Sequence, residues 1–159
     1  MPMLSHIDKN GDAKMVDISE KDNTERVAIA SGFIELNEET IHLVKIGNLK
    51  KGDVLTVAKI AAIQAAKKTS SLIPLCHNIN LNGIDIKFKI DKNENKIYCQ
   101  STISCSGSTG VEMEALTAVS VALLTIYDMC KASDKYMRIS GIKLIEKHGG
   151  KSGAWIAKN

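Results

Sequence analysis

The sequence predicts an α+β fold: a split βαββαβ sheet with two helices on one face and an added strand at the N-terminal end. Three observations lead there. Ile84, Ile86, Phe88 and Ile90 alternate with Asp85, Lys87 and Lys89. After a turn, Ile97, Cys99, Ser101, Ile103 and Cys105 resume the same period, that of half-buried strands. Val54, Val57, Ala58, Ala61, Ala62 and Ala65 instead recur at helical spacing, and a second, longer apolar stretch follows residue 110.

Taken in order, residues 1–24 are polar and weakly patterned, with Asn10-Gly11 as a turn signal, and read as a mobile arm. Residues 26–36 are rich in Val, Ile, Ala and Phe. With residues 40–46 they read as a hairpin across the polar Asn37-Glu38-Glu39, which supplies the added strand. Gly52 and Asp53 open a helix that runs to about Lys67, where Lys67 and Lys68 suit the negative end of its dipole. Residues 69–81 are irregular and hold Pro74. The two alternating strands follow, separated by a turn at 91–96. Residues 107–110 break the pattern, and a long helix runs from about Val111 to Met129. Residues 136–147 contain a last strand. The tail, 149–159, carries three glycines and reads as flexible. No repeat or low-complexity block interrupts this order, so residues 1–159 read as a single domain. With both helices on one face, the other must be solvated or buried against a partner subunit.

Composition excludes several classes. A net charge of +3 with 4% aromatic residues is too weak a cationic excess, and too poor in stacking platforms, for a nucleic-acid binder. It still suits a small anionic substrate. The longest mostly apolar stretch, 115–127, is too short to span a bilayer and reads as a buried helix. Residues 1–10 are polar and include Asp8 and Lys9, so they lack the apolar core of a secretory signal. Cys76, Cys99, Cys105 and Cys130 form no C-x-x-C pair, and reduced thiols in a cytoplasmic setting are the expectation.

Four constellations could carry chemistry. Leu75-Cys76-His77 follows Ile73-Pro74, so a proline-stiffened loop presents a side chain able to move protons near neutral pH. An ordinary loop with a packed Cys is the other reading. No second close Cys or His pair accompanies it, so no metal site is expected. The glycine-bearing turn at 106–110 leads into Glu112, Met113 and Glu114, and a helix N-terminus offers free N–H groups to an anion. Thr109 and Glu112 also have capping-box spacing, which on its own favours a cap for Glu112 and leaves Glu114 unexplained. Asp128 and Lys131 lie three apart at the end of the apolar helix. They share a face, as a surface ion pair or as an acid/base pair at a pocket mouth. The last is a scatter of cations, Arg26, Lys50, Lys51 and Lys147. Lys50 and Lys51 precede a helix start, where the dipole disfavours positive charge; a bound phosphate would remove that conflict, and solvated lysines outside the helix, the commoner case, would also tolerate it. The tail around Lys151-Ser152 does not form a Walker A loop, because Ile145 stands where its first glycine must be.

The strings Thr109-Gly110-Val111-Glu112-Met113-Glu114-Ala115-Leu116-Thr117-Ala118 and Thr125-Ile126-Tyr127-Asp128-Met129-Cys130-Lys131-Ala132 resemble the signature helix of the cyclic pyranopterin monophosphate synthase family, the C proteins of molybdenum cofactor biosynthesis. Met15-Val16-Asp17-Ile18, Arg26-Val27-Ala28, Lys51-Gly52-Asp53-Val54, Ile73-Pro74-Leu75-Cys76-His77 and Gly149-Gly150-Lys151-Ser152-Gly153 extend the resemblance along nearly the whole chain. It implies a ferredoxin-like fold in a homohexamer, a trimer of dimers, with sites between subunits. It implies conversion of a cyclised 7,8-dihydro-GTP to cyclic pyranopterin monophosphate and pyrophosphate, with no cofactor of its own. On the matching positions, the resemblance implies Asp128 as the acid/base residue, with Lys51 and Lys131 as its catalytic partners. Leu75, Cys76, His77, Met113 and Glu114 are implied as substrate contacts, and Glu112, Arg26 and Lys147 as further polar pocket positions. A ligand-sensing module without catalysis is the main rival. Such a module has no need of several cations beside paired acids.

Overall fold

A computed structural model describes residues 4–47, 49 and 51–158. Among the described residues nine elements follow one another: β1 (Thr24–Glu35), α1 (Glu38–Ile46), α2 (Val54–Lys67), α3 (Thr69–Leu72), β2 (Gly83–Asp91), β3 (Lys96–Gly107), α4 (Glu112–Cys130), β4 (Arg138–His148) and β5 (Trp155–Ile156). The strands form one open antiparallel sheet in the order β2-β3-β1-β4-β5.

The alternation seen in the sequence decides which face is covered. Ile103 of β3 stands between Ile84 of β2 and Ala28 of β1, and Ile97 between Ile90 and Ile34. Ala28, Ile34, Ile97 and Ile103 are fully buried on this side. Helix α4 lies against β1, β3 and β4, and α2 lies against α4 and β2. The other face carries Ile29, Ser31 and Phe33 opposite Thr102, Gln100 and Tyr98, none of them fully buried. Among the described residues, helix α4 alone is long and apolar enough to cross a bilayer. Its Ala115, Ala118, Val119, Ala122, Leu123 and Ile126 are instead wholly enclosed by the sheet and α2.

Two expectations are corrected. Residues 40–46, expected as a strand, lie in helix α1, so the added N-terminal strand does not exist. Local chemistry explains the change. Asn37 is extended and its side chain accepts the Thr40 amide at 2.7 Å, as an N-cap does. Glu38 and Glu39 sit in the first turn and Lys45 in the last, matching the dipole. Gly47 closes the helix in the left-handed conformation, φ 67°, which costs glycine little. Ile41 and Val44, three apart, then bury on one side. The second correction concerns the tail. Trp155 and Ile156 pair with Lys147 and Glu146, and the Ala157 amide donates to the Ile145 carbonyl at 2.8 Å. The extra strand is thus C-terminal, at the β4 edge.

Candidate active site

Polar side chains gather at both ends of α4. At its start, β1 and β2 begin while β3 and β4 end. Register sets two cations here. Arg26 stands opposite Cys105, and Lys147 opposite Ala28, so both lie on the helix-covered face. Lys147 Nζ donates to Glu112 Oε1 at 3.0 Å, and Arg26 Nε donates to the Gly107 carbonyl at 3.3 Å. The capping box expected of Thr109 and Glu112 does not form. Val111 is the N-cap, without a side-chain bond, so Glu112 is the first helical residue and is free to pair with Lys147.

A cleft of about 420 Å³ opens between the loop after α3, the start of α4 and the N-terminal arm. Leu75, Cys76, His77, Glu112, Met113 and Glu114 all line it. A second cleft of about 460 Å³ holds Arg26, Lys151 and Ser152 and shares Lys21, Thr109 and Gly110 with the first. Gly149 and Gly150 turn tightly over Arg26 with φ of 97° and 77°. A side chain at Gly150 would collide with the Arg26 guanidinium, and one at Gly149 with the Glu25 carbonyl. The glycine pair therefore seats the tail on the cleft wall.

Glu114 is 4% exposed, and its Oε2 has no hydrogen-bond partner. Burial pushes its carboxyl above the ordinary range, and the Glu112 charge adds to this; the Glu114 amide and His77 oppose it. Burial also raises the Cys76 thiol, with Glu114 reinforcing, so Cys76 is a packed thiol rather than a nucleophilic thiolate. A carboxyl whose folded-state pKa is raised favours folding most below its unfolded pKa. That advantage fades as pH climbs toward the folded value. Glu114→Gln is therefore expected to raise the melting temperature at pH 8 and to change it little at pH 4, as thermal unfolding at the two pH values would show. A lower melting temperature at pH 8 would refute the assigned burial penalty.

At the far end of α4, Asp128 lies between two amines. Lys131 Nζ donates to its Oδ1 at 2.7 Å and Lys51 Nζ to its Oδ2 at 3.1 Å. Lys51 also donates to the Asp128 backbone carbonyl at 3.0 Å. That carbonyl belongs to the last helical turn, which leaves such acceptors unpaired. The dipole conflict expected for Lys51 ahead of α2 is thus met by the negative end of α4; Lys50 lies outside the described residues. An aspartate in a last turn is itself disfavoured by the dipole, and the two lysines compensate. Hydrogen bonds first from Lys131 and then from Lys51 hold the Asp128 carboxyl below its usual range, and Asp128 raises the Lys131 ammonium in turn. All three side chains remain about half exposed, at 49–58%. Lys51→Ala is expected to cost activity about 10²-fold or more, the scale of a lost acid–base or charge-stabilising group. Lys68→Ala, at the exposed end of α2, should leave it near wild type. Equal losses in steady-state rates would remove the distinction.

The structure therefore brings six predicted residues together in one cleft, with Arg26 and Lys147 beside it, and places Asp128, Lys51 and Lys131 apart. Helix α4 is unbroken between them, so Glu114 and Asp128 are separated by roughly 21 Å along its axis. Sequence reasoning missed the arm: His6, Val16, Ile18 and Lys21 form part of the cleft wall. Their scattered polarity has no periodic signal; the string Met15-Val16-Asp17-Ile18 was the only pointer. Among the described residues no group of three or more His, Cys, Asp or Glu side chains could hold a metal ion.

Fold and clusters together define a small α+β protein that can both move protons and hold anionic groups. A model of the MoaC family matches residues 15–150, and the chain belongs to that family. A relative from Heliobacterium modesticaldum, named cyclic pyranopterin monophosphate synthase, is 53% identical over 156 residues, spanning 98% of this chain and 98% of the relative. Among solved structures, a mutant of the ferredoxin protease FusC in complex with Arabidopsis ferredoxin reaches a TM-score of 0.34 at 6% identity. That match spans 69% of this chain and 10% of the other, a likeness that carries no argument.

Proposed function

We propose that this chain is a lyase of molybdenum cofactor biosynthesis. It converts 3′,8-cyclo-7,8-dihydroguanosine 5′-triphosphate to cyclic pyranopterin monophosphate and releases pyrophosphate. The observation that carries the reading is 53% identity, over 98% of both chains, with a relative of that name. The site chemistry supports it. Closure of the cyclic phosphate requires a hydroxyl oxygen to attack the α-phosphorus while the bond to the bridging oxygen breaks. The hydroxyl proton needs an acceptor, and Asp128 offers a carboxylate oriented by its two lysines. The departing pyrophosphate needs cations on developing negative charge, a role for Lys51 and Lys131. Glu112 and Glu114 suit the N–H groups of a guanine-derived ring between Leu75, Met113 and His77, with Cys76 packed behind. Arg26 and Lys147 add positive charge beside that cleft.

The strand order β2-β3-β1-β4, reached through a βαββαβ succession, supports a ferredoxin-like fold in a single domain spanning residues 1–159. The 21 Å between the two clusters supports sites built between subunits of a homohexamer, a trimer of dimers. A small polar substrate and reduced thiols fit a cytoplasmic enzyme. Incubation of the purified chain with the cyclised triphosphate should release one pyrophosphate per pyranopterin formed. Tight binding with no pyrophosphate would favour the non-catalytic ligand sensor.

A further inference from the structure

The N-terminal arm touches the cleft through one specific bond. His77 sits on the loop after α3, and its Nε2 lies 2.6 Å from the backbone carbonyl oxygen of Val16, 61 positions upstream. Val16 and Ile18 are half-buried against the cleft, while most of the surrounding arm is exposed. The arm has its own local order: the Asp8 carboxylate accepts the amides of Asn10 and Asp12, and Ile7 bridges to Ala13.

A carbonyl oxygen can only accept. A ring nitrogen bonded to it must carry a proton, whether the imidazole is neutral or charged. We infer that the Val16 carbonyl is a positioning group for His77, holding the neutral ring as the Nε2–H tautomer so that Nδ1 is the nitrogen left to accept from a ligand. The bond fixes the ring as well as its proton, because Nε2 cannot leave Val16 without losing its partner. This is the logic by which histidines in metal sites are oriented through their second nitrogen, applied here to an organic ligand. The carboxyl of Glu114 lines the same cleft, so the ring lies among the groups that meet a ligand. The arm is then part of the site, although no arm side chain need react.

The consequence for turnover rests on the proposed synthase reading, whereas the tautomer does not. The tautomer is read from the intact chain, labelled with ¹⁵N-histidine, by long-range proton–nitrogen correlation. The four histidines are separated by loss of one signal set in His77→Gln. The expected His77 ring has a protonated nitrogen at Nε2 and a bare one at Nδ1. A full-length Val16→Gly, Ile18→Gly double variant, which loosens the arm, should weaken that preference by about 5-fold, the worth of one neutral hydrogen bond. A wild-type ring protonated at Nδ1 would overturn the inference, as would a preference unchanged in the folded double variant. Should that variant not fold, the single Val16→Gly variant replaces it. Turnover supplies a separate readout. His77→Asn keeps an acceptor near the Nδ1 position and should raise KM less than His77→Gln, which keeps only the donor toward Val16. The reverse order, or equal effects, would contradict Nδ1 as the ligand-facing atom. Inactive wild-type protein with the expected tautomer would count against the synthase reading and not against the positioning role.

Discussion

Asp128→Ala and Lys131→Ala are each expected to lower turnover by about 10²–10⁴-fold, the usual contribution of a positioned proton-transfer group, while the protein stays folded. The activity loss follows from mutual dependence. Lys131 and Lys51 each donate to one oxygen of the Asp128 carboxylate and fix its orientation, and Asp128 in turn aims the two ammonium groups. Removing the carboxylate leaves two like charges facing each other; removing Lys131 takes away the donor that holds Asp128 Oδ1 and the cation beside it. The fold survives because these half-exposed ion pairs are screened by water and contribute little to stability. The core beneath them, Leu123, Ile126 and Cys130, does not depend on them. Steady-state rates with circular dichroism check both halves. Near-wild-type turnover in either folded variant would remove Asp128 and Lys131 from the chemistry.

The second large effect is a recovery of activity. A Glu114→Ala chain and a Lys131→Ala chain should each be inactive, and mixing them under conditions that allow subunit exchange should restore turnover. The geometry forces the issue. Glu114 and Asp128 project to the same side of α4, about 40° apart, yet lie roughly 21 Å apart along it, too far for one compact ring system to touch both. An extended triphosphate reaching along one chain is the competing arrangement. If each site combines the α4 start of one chain with the α4 end of another, random mixing leaves about a quarter of sites with neither substitution. Activity approaching that fraction is expected. No recovery despite exchange verified by mass spectrometry would place the site within one chain.

How much of this was legible in the sequence depended on the kind of signal. Strands β2 and β3 and helix α2 announced themselves through period, and helix α4 through the length of its apolar run. Helix α1 was misread because its short run of Thr, Ile, Leu and Val carries β propensity. Its true signals, Asn37 before and Gly47 after, are caps rather than periods. The Thr109–Glu112 box failed for a related reason: the motif was present two residues out of register with the helix start. Asp128 and Lys131 were readable as neighbours from helical spacing alone. Lys51 joining them, 77 positions away, was not, since it depends on α2 running beside α4. Lys147 meeting Glu112 likewise depends on β4 pairing with β1. The arm's bond to His77 stayed invisible because a backbone carbonyl, the group that holds the ring, leaves no trace in residue identity.

The most direct test of the account is a crystal structure of the full-length Lys51→Ala variant with the cyclised triphosphate bound, slow turnover preserving the ligand. The account predicts the ring between Leu75, His77 and Met113 of one chain, with Asp128 and Lys131 of a neighbouring chain within contact distance. A ligand contacted by a single chain, or one seated away from the cleft at the start of α4, would contradict it.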